Sequence, residues 1–154
     1  MTADSTSSRA GHVAALFLAV AALALQARAA PLTPRRIVTL APACAEIVAA
    51  LGLEGAIVGV TDYTDWPARV KTLPNVGSYV KINVEAVLAL RPDLVVATYD
   101  GNPAAAVHRL EHAGIRVVTL NLHGVAEIEQ SILSLGAATG RTAAAKKTVG
   151  EMMV

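Results

Sequence analysis

A chain of 154 residues is about one domain in size, long enough to bury a single α/β core. Hydrophobic residues make up 54%, charged residues 16%, and the formal net charge is +1, which excludes a disordered charged tail and argues against a nucleic-acid binder working by charge density. One cysteine excludes an internal disulfide framework and a cysteine-rich zinc site, and with aromatics at 3% the core must be packed from Ala, Val, Leu and Ile.

The first feature in chain order is an apolar run from Val13 to Leu25, shorter than the roughly 20 residues that span a bilayer. Arg9 and His12 precede it, and Ala27-Arg28-Ala29 after it fits a small-x-small cleavage pattern. Residues 1–29 therefore read as a secretory signal peptide, which implies a periplasmic mature protein; the rival reading is an uncleaved membrane anchor. Removing Arg9, Arg28 and Asp4 with that segment takes the formal charge from +1 to zero, so the mature chain has no electrostatic preference for polyanions.

Arg35–Leu40 (RRIVTL) reads as a strand, Pro42 opens a helix through Leu51, and Gly52 stops it. Ala56–Val60 (AIVGV) is a second strand, followed by a long connection from Thr61 to Ile82 rich in Pro, Gly, Asp and Tyr. Asn83 caps a short helix through Leu90 with Glu85 in its first turn, and Pro92-Asp93 leads into the apolar strand Leu94–Thr98. Asn102 and Pro103 read as cap and first-turn proline of a helix ending at Gly114. Ile115–Leu120 is the fourth strand, a helix runs from Val125 to Thr139 before Gly140, and a last helix, with Thr142 as its cap, runs to Val154. Short apolar strands alternating with helices predict a parallel four-stranded sheet with helices on both faces.

Phe17 lies in the signal segment, so the mature chain carries Tyr63, Trp66, Tyr79 and Tyr99 as its aromatics. All four fall in connections leaving the C-terminal ends of predicted parallel strands, where open α/β sheets bind ligands. Packing of Trp66 and one or two tyrosines down the loop is the plainer alternative for each alone; as a set they read as a surface for a broad, partly apolar ligand.

Other chemistry-bearing residues carry less. His108, Glu111 and His112 match H-x-x-E-H, two histidines one helical turn apart with a glutamate as base. Val107, Leu110 and the alanines form the apolar stripe of that helix, which leaves both histidines on its solvent face. His123 follows strand four on the ligand side, as a contact or as a loop residue. Cys44 sits near a helix N-terminus, which can lower a thiol pKa, but reads as a small buried residue. No G-x-G-x-x-G, G-x-x-x-x-G-K-[ST] or G-x-S-x-G occurs, which removes support for dehydrogenase, kinase and serine-hydrolase readings. No catalytic residue and no resident metal or cofactor is expected.

Four segments read together, RIVTLAPACAEIVAALGL, IVGVTDYTDWP, LPNVGSYVKINVEAVLALRPDLVVAT and LEHAGIRVVTLNLHGVAEIEQSILSLGAATGR, resemble the periplasmic substrate-binding proteins of cobalamin and ferric-siderophore ABC importers over Arg36 to Arg141. The resemblance implies two α/β lobes joined by a long helix, with ligand in the cleft between them. Residues 30–141 then form the first lobe and 142–154 open the linking helix; no segment of these 154 residues reads as the second lobe. It further implies ligand contacts at Tyr63, at Tyr79 and at Ala43 in the Pro42-Ala43 turn, beside the candidates Trp66 and Tyr99, and a permease-docking carboxylate at Glu85. The expected ligand is cobalamin, haem or a ferric siderophore, and the expected partner an inner-membrane ABC permease, with no nucleic acid and a monomeric state. The rivals are a binding protein for a bare transition-metal ion using His123 and carboxylates, and an exported metal-dependent hydrolase using His108, Glu111 and His112.

Overall fold

In the computed structural model, which describes residues 33–152, the chain runs β1 (Ile37–Thr39), α1 (Pro42–Ala50), β2 (Ile57–Gly59), a hairpin of β3 (Gly77–Ser78) and β4 (Lys81–Ile82), α2 (Val84–Ala89), β5 (Leu94–Thr98), α3 (Ala104–His112), β6 (Val117–Leu120), α4 (Val125–Thr139) and α5 (Thr142–Met152). The signal peptide expected over residues 1–29, with its apolar run and cleavage pattern, lies outside the described residues, as do the last two of the chain.

Strands β1, β2, β5 and β6 form one parallel sheet in the order β2-β1-β5-β6, with Ile37 opposite Leu94 and Val95 opposite Val117. The period of two along each strand sorts the apolar residues between two cores. Ile37, Leu94 and Val96 join Cys44, Val48, Ile132, Leu135 and Ala145 under α1, α4 and α5. Val38, Leu40, Val95 and Ala97 join Val84, Val87 and Leu110 under α2 and α3. Covering both faces is why β5 reads as an unbroken apolar run: all five of its residues are buried.

The helix bounds follow local chemistry. Pro42 stands at the start of α1, and Asn83 Oδ1 accepts the Ala86 backbone N–H at 3.0 Å, capping α2 as the sequence predicts. At the N-terminal edge of the sheet, Asp93 accepts the backbone N–H groups of Arg35 and Arg36 at 2.8 and 3.1 Å, pinning β1 to the turn before β5.

Two expectations are corrected. Asn102 does not cap α3, whose cap position is Pro103, without a side-chain hydrogen bond. Its amide turns back between β1 and β5, where Oδ1 accepts the Thr98 N–H and Nδ2 donates to the Leu40 carbonyl, both at 2.8 Å. Two strand ends left unpaired in a buried crevice outbid one exposed helix turn for that amide. Thr142 is the first residue of α5 rather than its cap. That helix lies on α4: Ala145 is fully buried against Gly136, and Ala144 and Val149 pack on the core. The long connection after β2 also contains a hairpin that periodicity could not reveal, because its strands are two residues each.

Candidate ligand-binding site

In the order β2-β1-β5-β6 the chain leaves β1 toward one sheet edge and later returns to the other side of it, so the loops after β1 and β5 diverge at their C-terminal ends. Such a switch point leaves a crevice, and loops entering it come from every strand. Here the crevice opens into a concavity of about 510 Å³ lined by Ala41, Pro42 and Ala43 after β1, Asp62 and Tyr63 after β2, Tyr79 from the hairpin, Thr98 and Asp100 at the end of β5, and Leu122 after β6. All four sheet strands therefore contribute to one surface.

Tyr63 is the most exposed large apolar residue here, with 89% of its surface open. It holds a left-handed backbone (φ 62°), which costs a residue with a Cβ roughly 1–2 kcal/mol. Strain of this kind at the lip of a concavity is a mark of functional placement. Tyr79 is half-buried and packs against the α1 side of the core.

Of the five candidates from sequence, Ala43, Tyr63 and Tyr79 are brought together on this surface. Trp66 and Tyr99 are exposed, at 55% and 70%, but neither lines the concavity. Asp62, Thr98, Asp100 and Leu122 were missed, although the signal was available: each lies at or just beyond a strand's C-terminal end. The two carboxylates each have one oxygen engaged. Asn75 Nδ2 donates to Asp62 Oδ1 at 2.7 Å, and His123 Nε2 lies 2.6 Å from Asp100 Oδ1. Among the described residues the second oxygen of each has no hydrogen-bond partner. His123 thus reaches the site through Asp100.

Glu85 does not line the concavity but stands exposed on α2, where Arg109 of α3 donates to its Oε1 at 2.6 Å. Its own backbone N–H in the first turn of α2, and then the Arg109 guanidinium, hold its carboxyl below the usual carboxylate range. Cys44 is the opposite case. Burial pushes its thiol up to about 12, only partly offset by a hydrogen bond from the Ala41 backbone, so the helix N-terminus does not make it reactive. His108 and His112 are on the solvent face of α3, His108 bonded to Glu111 at 3.1 Å and His112 to the His108 carbonyl at 2.7 Å. Among the described residues no group of three or more His, Cys, Asp or Glu side chains is placed to hold a metal ion.

Residues 37–153 match the family described as Periplasmic binding protein. The chain belongs to that family. It is similar to the uncharacterized ABC transporter substrate-binding lipoprotein YvrC of Bacillus subtilis, 39% identical over 77% of this chain and 38% of the relative. It is also similar to the vitamin B12-binding protein of Yersinia pseudotuberculosis, 39% identical over 68% of this chain and 36% of the relative. Among solved structures, a periplasmic heme-binding protein from Pseudomonas aeruginosa superposes with a TM-score of 0.73 at 34% identity, covering 78% of this chain and 43% of that one. The periplasmic vitamin B12-binding protein BtuF of Vibrio cholerae superposes with a TM-score of 0.72 at 30% identity, covering 79% and 48%. The chain spans a little over a third of the curated relatives it matches and under half of these solved chains, corresponding to one lobe of their two-lobe architecture.

Proposed function

We propose that this chain is the first lobe of an exported, non-enzymatic substrate-binding protein that captures a corrinoid and delivers it to an ABC permease in the inner membrane. The observation that carries this reading is the composition of the concavity: Pro42, Ala43, Leu122, Tyr63 and Tyr79 offer aliphatic and aromatic area, Asp62 and Asp100 offer carboxylate acceptors, and among the described residues no lysine or arginine lines it. A corrinoid such as cobalamin presents a broad ring edged with amide N–H donors and carries little net charge. Haem carboxylates and ferric catecholate siderophores bring negative charge to a wall that already holds two carboxylates, which costs binding energy unless a cation answers it. Names of relatives support the same class, since several are vitamin B12-binding proteins and others bind heme.

Glu85 is the proposed docking charge. It stands outside the concavity, so a permease arginine can approach it with ligand in place, and a charge of this kind sets orientation and encounter rate more than affinity. Export is supported by the signal-like segment at residues 1–29 and by relatives that are periplasmic or lipoprotein binding proteins.

Titration of the purified chain with cyanocobalamin, haem and a ferric hydroxamate tests this, read by the fluorescence of Trp66, the one tryptophan. Cyanocobalamin is expected to quench saturably and at the lowest concentration. Tyr63→Ala and Tyr79→Ala are each expected to weaken it about tenfold, on the order of 1.4 kcal/mol. Preferential binding of haem, or no quenching by any of the three from folded protein, overturns the corrinoid assignment.

A further inference from the structure

We propose that Gly101 and Asn102, in the loop after β5, are positioning residues that fix the Tyr79 ring as a wall of the concavity; this rests on the reading of that concavity as the ligand site. Tyr79 sits in the two-residue turn between β3 and β4, outside the main sheet. A turn that short leaves its side chains free, and the next residue, Val80, is 63% exposed. Tyr79 is nevertheless half-buried and on the ligand face.

Two contacts from one loop account for that. Asn102, only 8% exposed, uses its whole amide: Oδ1 accepts from the Thr98 N–H, and Nδ2 donates to the Leu40 carbonyl and to the Tyr79 carbonyl, all at 2.8 Å. It therefore ties the ends of β1 and β5 to the hairpin turn. Gly101, at φ +95°, lies directly against the Tyr79 ring, so that a Cβ at residue 101 would occupy the space of the ring carbons and hydroxyl. Asparagine is suited to this work because it supplies two donors and one acceptor from a short stem. Aspartate has the same shape, but it would turn both donors into acceptors facing carbonyl oxygens.

Protein labelled with 3-fluorotyrosine carries a fluorine probe at each of its three tyrosines, with Tyr79 assigned by Tyr79→Phe. In the parent protein the Tyr79 resonance is expected apart from those of exposed Tyr63 and Tyr99; in Asn102→Asp and in Gly101→Ala it moves toward them while the protein stays folded. Global destabilisation alone does not move a native-state resonance, so an unchanged Tyr79 signal in both variants overturns the proposal. Gly101→Ala keeps every Asn102 hydrogen-bonding group and decides the matter should Asn102→Asp not fold. Affinity for cyanocobalamin gives the second reading: Gly101→Ala is expected to weaken it about tenfold in the parent and less than twofold in Tyr79→Leu. Equal losses in both backgrounds overturn positioning through Tyr79. If no cyanocobalamin binds to the parent, the corrinoid reading fails, and the fluorine signal still decides the role of Gly101 and Asn102.

Discussion

Single residues differ here in what their surroundings demand. Tyr63 combines a left-handed backbone with a ring almost wholly in solvent, so nothing in the packing of this lobe needs a tyrosine there. Tyr63→Gly removes the strain while adding back about 0.5–1 kcal/mol of glycine entropy. Its expected effect on folding stability is within about 1 kcal/mol of the parent by urea unfolding, while cyanocobalamin quenching is lost or strongly weakened. A large loss of stability would mean that the ring serves the fold instead. Cys44 shows how neighbours override a local signal. The helix start beside it favours a thiolate, but burial between α1 and the sheet removes the water a thiolate needs, and that effect is the larger.

Between elements, the packing of α4 on α5 depends on residue size. Gly136 faces Ala145, and a Cβ at residue 136 would meet the Ala145 methyl and the Arg141 carbonyl, so no side chain fits there without moving α5. An isolated helix of this length is marginal in water, and its order therefore comes from this seam. Gly136→Leu gains helix propensity but must push α5 outward, and overpacking of this kind costs about 1–3 kcal/mol. The expected outcome is a lower urea midpoint together with loss of amide-exchange protection over Thr142–Met152. Retained protection would show that α5 is held by something other than the seam. Helix boundaries were legible in the sequence because Pro42, Asn83 and Gly140 act on their own turns. Asn102 was misread because the same chemistry that caps a helix also satisfies two strand ends, and only the crevice decides between them.

For the whole molecule, acid stability carries a signature of the Glu85 carboxyl, held by its own backbone N–H and then by Arg109 across α2 and α3. The Glu85 carboxyl titrates below its ordinary range when folded, so its contribution is present above the unfolded carboxylate pKa of about 4.3 and fades as pH falls through the folded value. Glu85→Gln is therefore expected to flatten the loss of stability below about pH 4.5 relative to the parent and to leave cyanocobalamin quenching unchanged, since Glu85 lies outside the concavity. Thermal unfolding across pH 3–7 checks it; parallel parent and variant curves would show that the Glu85 carboxyl does not couple to folding. The sequence by itself determined the parallel α/β lobe, because strands covered on both faces must be continuously apolar and each helix carries its own stop. It also determined that the aromatics lie beyond strand ends. Which of them share a surface was decided only by tertiary structure. The concavity is assembled from five chain segments whose relative heights depend on strand order and register, so Tyr63, Tyr79 and Ala43 meet there with Asp62 and Asp100, while Trp66 and Tyr99, which also follow strand ends in the sequence, do not line it.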